Sequence, residues 1–200
     1  MRSDARRWLS TGGAAIGSAA MGGAVLGLVL PAPIVVAADY LTLDAAQRAV
    51  FPDGRAFEPA ALQLSAAQLQ QLAALAGPQP PRGQIRAWRV RGGDAPLGFF
   101  LTDEVVGRQD FIDYALGINP DGSLRTPEIM SYRESHGGEV RNVAWRRQFN
   151  GRHDGAALRP SVDIRNIAGA TLSCEHLTAG VRYLSALWQV ALRAMAESPP

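Results

Sequence analysis

Phe111-Ile-Asp-Tyr-Ala-Leu-Gly-Ile118 leads through Asn119-Pro-Asp-Gly122 into Ser123-Leu-Arg-Thr-Pro-Glu-Ile-Met-Ser-Tyr132. Aromatic and branched residues dominate the first run. Pro120-Asp121-Gly122 is a turn signature, because Pro presets φ for a turn and Gly accepts a positive φ. The reading is two neighbouring strands, Phe111–Ile118 and Ser123–Tyr132, and therefore a sheet. Toward the N-terminus, Leu97–Val106 has the same composition, and Gln84–Arg91 alternates apolar Ile85 and Ala87 with Arg86 and Arg89. That period of two is the mark of a half-buried strand.

Helical signals flank these runs. Leu41–Val50 reads as a short helix with Thr42 as its N-cap, ended by Phe51-Pro-Asp-Gly54. Ser65–Ala76, rich in Ala, Gln and Leu, reads as a second helix stopped by Gly77 and the prolines after it. Beyond Gly137-Gly138, Glu139–Phe149 reads as a polar helical piece, followed by a loop holding Gly151, Gly155 and Pro160. The chain closes on an apolar stripe, Leu177, Val181, Leu184, Trp188 and Leu192, whose spacing is helical. The expected fold is a single α+β domain, an antiparallel sheet flanked by helices with a long C-terminal helix on it.

Composition narrows the function classes. The chain has 200 residues, 47% hydrophobic and 19% charged, against about 25% charged in an average domain. It is too apolar for intrinsic disorder. Every one of the 20 basic residues is Arg, and the net charge is only +2. Much of that excess sits in the first ten residues, so the body is neutral and has no footprint for nucleic acid. A single Cys excludes an internal disulfide and a thiolate metal cage.

Arg2, Arg6 and Arg7 precede an uncharged run from Gly12 to Ala38 that ends in Val36-Ala37-Ala38 ahead of Asp39. A basic start, an apolar stretch and small residues at the end form the plan of an export signal. The run is long enough for a span of about 20 residues, but six Gly, with Pro31 and Pro33, leave it weakly hydrophobic. Residues 1–38 are therefore expected to be a signal peptide, or to remain as an inner-membrane anchor, with the rest on the periplasmic side. Arg6-Arg7-Trp8-Leu9 resembles a twin-arginine signal from which Ser10 departs. Residues 39–83 form an N-terminal helical segment in this reading, and 84–200 the main domain.

The candidate chemistry lies in Asp163-Ile-Arg-Asn-Ile-Ala-Gly-Ala-Thr-Leu-Ser-Cys-Glu-His176, just before the last helix. Gly169 and Ala170 leave the backbone uncovered, and Thr171 and Ser173 are candidate N-caps. The segment reads either as a capped helix start or as a site where free amides and the helix dipole hold an anion such as a phosphate. The dipole contributes about 0.3–1 kcal/mol, up to about 2 when partly buried. That is too little to retain a cofactor outside the cell, and a covalent link would remove the difficulty. Leu172 and Leu177 would anchor the helix behind Thr171. Cys174 and His176, two apart, point to different helix faces, which argues against a metal site and for a small buried Cys174.

The run Ala168-Gly-Ala-Thr-Leu-Ser173 resembles the flavin-attachment motif of the FMN-binding domain family, which includes flavin-carrying subunits of sodium-pumping quinone reductases. Tyr132-Arg-Glu-Ser-His-Gly-Gly-Glu-Val-Arg-Asn142 and Trp145-Arg-Arg-Gln-Phe-Asn-Gly151 are similar to the family's acidic, Gly-containing loop and the segment after it. Gly107-Arg-Gln-Asp-Phe-Ile112 and Ile118-Asn-Pro-Asp-Gly122 are similar to its preceding strands and turn. The resemblance runs from about Gln84 to Leu192, which makes 84–200 an FMN-binding domain. It implies FMN as cofactor, joined by its phosphate to Thr171 through a flavin transferase. Glu134, His136, Gly137 and Gly138 would lie at the isoalloxazine ring, with Gln148 and Phe149 as support and Arg108 within reach. Ala168 stands where the family has Ser or Thr, and Arg165 where it has Asp, with Asp163 two residues earlier.

The expected function is that of an exported flavoprotein relaying electrons to or from a membrane or periplasmic redox partner. No nucleophile and base arrangement is visible, so a carrier is expected rather than a self-contained reductase. The alternative is a flavin-free or non-covalently FMN-binding scaffold domain on the same fold.

Overall fold

Strands form where branched and aromatic residues cluster. The computed structural model describes residues 38–79, 82–134 and 136–197. Its strands are β1 (Ala38–Asp39), β2 (Ala56–Ala60), β3 (Arg86–Gly92), β4 (Ala95–Val106), β5 (Phe111–Ile118) and β6 (Glu128–Tyr132). They make one antiparallel sheet in the order β1-β6-β5-β4-β3-β2. The helices are α1 (Leu43–Val50), α2 (Ala66–Ala76), α3 (Val143–Arg146), α4 (Thr171–Leu187) and α5 (Arg193–Glu197). The architecture is an α+β domain with a long C-terminal helix. Residues 1–37 of the expected export segment lie outside the described residues, while its last residue, Ala38, pairs with Tyr132. Among the described residues no helix is long and apolar enough to cross a membrane.

The pleat sends alternate residues to opposite faces. Phe99, Leu101 and Val105 of β4, with Ile112, Tyr114, Leu116 and Ile118 of β5, form the larger core with Leu177, Val181, Leu184, Trp188 and Leu192. Phe100, Ala115 and Val90 face the other way, under Ala46, Val50 and Phe51 at α1. Local chemistry fixes both N-terminal helices. Thr42 accepts from the Ala45 amide at 3.3 Å, and Ser65 and Gln68 form a reciprocal capping box.

Three readings of the sequence need correction. The stretch 39–83 also holds β2, whose Pro59 argues against a central strand but fits an edge one, which is where β2 lies. Ser123–Tyr132 is a strand only from Glu128. Before that, Leu124 makes an isolated antiparallel bridge to Ile118 of β5, while its own amide and carbonyl bond at 2.8 Å to Arg152 and Gly151, and Pro127 has no amide for a ladder. Glu139–Phe149 is a 3₁₀ turn at Gly138–Arg141, then α3, then a second 3₁₀ turn at Arg147–Phe149. The break falls at Asn142, whose side chain accepts from the Ala144 amide at 2.8 Å and so restarts the helix. The C-terminal helix widens to a π turn at Trp188–Leu192 without losing its buried stripe.

α4 lies unusually close to the sheet at Gly180. A Cβ there would stand 2.6 Å from Tyr114 Oη and 2.8 Å from Val105 Cγ1. Tyr114 Oη donates to Asp103 at 2.7 Å, and Asp103 pairs with Arg82 at 3.2 Å. Burial pushes the Asp103 carboxyl above its usual range, against the pull of Arg82 and the Tyr114 hydroxyl. Burial, reinforced by the neighbouring Asp103, raises Tyr114 further still. The trio is a buried polar network directly beneath Gly180. Gly180→Val should therefore destabilise the fold by about 1–3 kcal/mol through overpacking. The expected readout is a lower midpoint of urea unfolding with an unchanged slope.

Candidate functional site

The segment entering α4 is tied down before the helix starts. Asp163 accepts from the Arg159 amide at 2.8 Å and from its guanidinium at 3.0 Å. These contacts hold the Asp163 carboxyl down at about 2. The Arg165 amide donates to Gln148 Oε1 at 2.9 Å, and the Arg165 carbonyl accepts from Trp145 Nε1 at 2.6 Å. Gln148 and the fully buried Phe149 thus support the approach to the helix. Gly169 has φ +88° and nothing within 4 Å of a Cβ, so backbone conformation alone calls for Gly.

The N-cap is Ala170, with no side-chain cap bond. Thr171 and Ser173, expected as caps, do not cap: both lie inside the helix. The first intrahelical bond runs from the Cys174 amide to the Ala170 carbonyl at 2.9 Å, leaving the amides of residues 171–173 at an uncapped positive end. Thr171 is exposed there. Leu177 is fully buried and anchors the helix, whereas Leu172 is 45% exposed and does not. Cys174 is buried, as expected. His176 Nδ1 lies 2.6 Å from the Val106 carbonyl and 2.8 Å from that of Gly107. Carbonyls only accept, so Nδ1 carries a proton and pins α4 to the end of β4.

Ser173 faces the sheet. Its Oγ is 3.2 Å from Tyr132 Oη, which also contacts the His136 carbonyl. The phenol has one proton and gives it to that carbonyl, so Ser173 donates to Tyr132. Burial raises the Tyr132 phenol, with Glu134 and Glu139 adding to it and Ser173 and Arg141 opposing, so it remains a donor. Gly137, at φ +82°, closes this junction: a Cβ would meet Ser173 Oγ at 2.6 Å and Tyr132 Oη at 2.8 Å. At Gly138 the nearest atom to a Cβ is Arg141 Nη2, at 3.0 Å.

Glu134, which lines a cleft, also has a structural task. Its Oε1 accepts the backbone amides of Arg108, Gln109 and Asp110, the last at 2.8 Å, in the turn between β4 and β5. Burial works against its charge, but the three amides and the Arg108 guanidinium outweigh that and hold the carboxyl below its usual range. Arg108 is exposed and enters the site mainly through this amide.

These elements surround an open cleft of about 520 Å³ lined by Tyr40, Tyr132, Glu134, His136, Gly137, Gly138, Glu139, Arg141 and Gly169. Its volume is within the range of about 300–1,000 Å³ typical of small-molecule sites. Five expected site residues, Glu134, His136, Gly137, Gly138 and Gly169, meet here. Ala170, Thr171 and Ser173 do not line it; Thr171 lies in sequence between Gly169 in the wall and Ser173, which is bonded to Tyr132. Sequence reading missed Tyr40, Tyr132, Glu139 and Arg141. Tyr132 was within reach, since it opens the Gly-containing loop; Tyr40 joins only through a β1–β6 pairing that no local pattern announces. Among the described residues no group of three or more His, Cys, Asp or Glu could hold a metal.

Residues 107–185 match the family described as FMN-binding domain. The match begins at the turn held by Glu134 and ends within α4. No curated protein matches the chain.

Glu134 gives the site a signature in acid. Its folded pKa lies below the unfolded value of about 4.3, so its contribution is complete above that value and is lost as pH falls through the folded pKa. Glu134→Gln should lower stability at neutral pH, and the gap from wild type should close on acidification below about pH 4.3. Urea unfolding at stepped pH measures this.

Proposed function

From the membership of residues 107–185 in the FMN-binding domain family, with FMN as its cofactor, we propose that the protein is an exported electron-carrying flavoprotein whose FMN is esterified to Thr171. The observation that carries the reading is an exposed threonine at the uncapped start of a long helix, next to an open cleft floored by glycines. A phosphodiester at the Thr171 hydroxyl keeps one negative charge, which the unshared amides of residues 171–173 can stabilise. The positive φ of Gly169 turns the chain away from the helix axis and leaves the hydroxyl open to a transferase. Exposed Ala168 adds nothing to hinder that approach.

The remaining residues fit a planar heteroaromatic ring. Gly137 and Gly138 let the backbone approach it closely, and Tyr40 and Tyr132 offer aromatic walls. Tyr132 holds the loop carbonyl of His136 and Ser173 together, so ring site and phosphate site move as one piece. Bound FMN supplies a redox centre that takes up an electron pair and passes electrons singly. The open cleft suits exchange with a second protein, which supports a carrier over a self-contained reductase.

Export rests on the basic and apolar N-terminus, with a periplasmic location and a redox partner at or near the membrane. Cleavage after Ala38 would leave Asp39 as the first residue, and Edman sequencing of the secreted form should begin there. Protein recovered only intact from the cytosol would refute export.

The ester is tested by co-expression with a flavin transferase and denaturing electrophoresis under ultraviolet light. Wild type should give a fluorescent band, and Thr171→Val, which keeps the shape but has no oxygen to esterify, should give none. A yellow wild type that loses all fluorescence on denaturation would instead support the non-covalent reading that Ala168 favours. Ala168→Ser should leave attachment equal or higher.

A further inference from the structure

The walls of the cleft do not all come from the matched domain. Tyr40 follows β1, well before residue 107. The Tyr40 and Leu41 amides both donate to the Met130 carbonyl, at 2.8 and 3.1 Å. Together with the pairing of Asp39 to Ser131, these bonds lay residues 39–41 along β6 as a strap and bring Tyr40 to the cleft.

Tyr40 meets a cation there. Arg141 Nη1 donates to Tyr40 Oη at 2.7 Å, and Arg141 Nε donates to the Gly138 carbonyl at 2.9 Å. The guanidinium carbon lies 4.9 Å from the Tyr40 ring centre and 5.9 Å from that of Tyr132. A long arginine on a surface turn is ordinarily free to sample solvent. This one is held at both ends of its guanidinium group, against a glycine carbonyl of the loop and a tyrosine of the strap, over two aromatic faces. Its tethers leave it in the cleft wall, with Glu139 nearby.

We propose that the strap is an integral part of the flavin site: Tyr40 is an aromatic wall of the ring pocket, and Arg141, tethered by Tyr40, is the positioning cation for the ring's polar edge. This rests on the flavin reading of the cleft. A flavin ring offers a flat face to an aromatic side chain and carbonyl oxygens to a guanidinium. A fixed positive charge within reach favours the reduced, more electron-rich state of the ring and so raises its midpoint potential. The strap also shields one side of the ring from solvent, a function the matched segment alone does not supply.

The test uses the full chain co-expressed with a flavin transferase. Three quantities are read: flavin emission, quenching of that emission by iodide, and midpoint potential. Tyr40→Ala should brighten the emission and increase iodide quenching severalfold, because a tyrosine ring in contact quenches flavin light and covers it. Arg141→Gln should lower the midpoint potential with little change in emission. Tyr40→Phe keeps the ring but frees the guanidinium, so it should retain the dim emission while shifting the potential in the direction of Arg141→Gln. Far-ultraviolet circular dichroism checks folding, and the Tyr40→Phe and Arg141→Gln pair decides the matter if Tyr40→Ala does not fold. Yellow, folded variants with wild-type emission, iodide access and potential would overturn the strap proposal alone. A wild-type chain that stays colourless with the transferase present would overturn the flavin reading and this proposal with it.

Discussion

Everything at the site depends on how closely α4 sits on the sheet. Gly180 allows Tyr114 and Val105 to touch the helix backbone, and the stripe from Leu177 to Leu192 then buries itself against β4 and β5. That contact sets the helix position along the sheet; His176, bonded to the carbonyls of Val106 and Gly107, adds a stop at the end of β4. With the helix placed, its first turn has little freedom. Ser173 must meet Tyr132, and Thr171 must emerge beside the cleft. A core contact far from Thr171 therefore decides where its hydroxyl is presented.

The loop after β6 solves a second problem. A turn between β4 and β5 exposes consecutive amides, a ready concavity for an anion. Glu134 fills it from within the chain. This leaves the uncapped start of α4 as the place near the cleft where free amides face outward without a carboxylate. In the proposed reading the two amide clusters are thus divided between structure and ligand. A carboxylate beside glycines suits a structural and a binding role alike, and the fold shows Glu134 holding this turn while it lines the cleft.

What was legible in the sequence followed local rules. Thr42 and the Ser65–Gln68 box mark helix starts through bonds made within one turn. The stripe of Leu177 to Leu192 marks a buried helix face even across a π turn, because each member still points at the sheet. Readings failed where a distant segment competed for a backbone group. Leu124 bridges Ile118 but gives its own amide and carbonyl to the loop at Arg152 and Gly151; at Asn142, by contrast, a local side-chain bond to the Ala144 amide restarts the helix. At Thr171 and Ser173 the local rule itself misled. Hydroxyl residues at a helix start suggest capping, yet the turn at Gly169 advances the cap to Ala170, one place before the first hydroxyl.

That displacement has a chemical consequence. A threonine at the N-cap position would spend its oxygen on the amides of its own helix. One residue later, the same oxygen faces outward while those amides stay unshared, so hydroxyl and anion-holding donors are available together. Side-chain cations are not needed for this arrangement. The tethered guanidinium of Arg141 belongs to the loop and strap side of the cleft. In the proposed reading two tasks are therefore separate: backbone amides of α4 would balance the phosphate, and Arg141 would be left to act on the ring. A phosphate held by backbone alone is bound weakly, by about 0.3–1 kcal/mol from the dipole. The proposed ester at Thr171 would therefore complement this fold: the helix would supply the place and the charge balance, and the covalent bond the retention that the helix cannot.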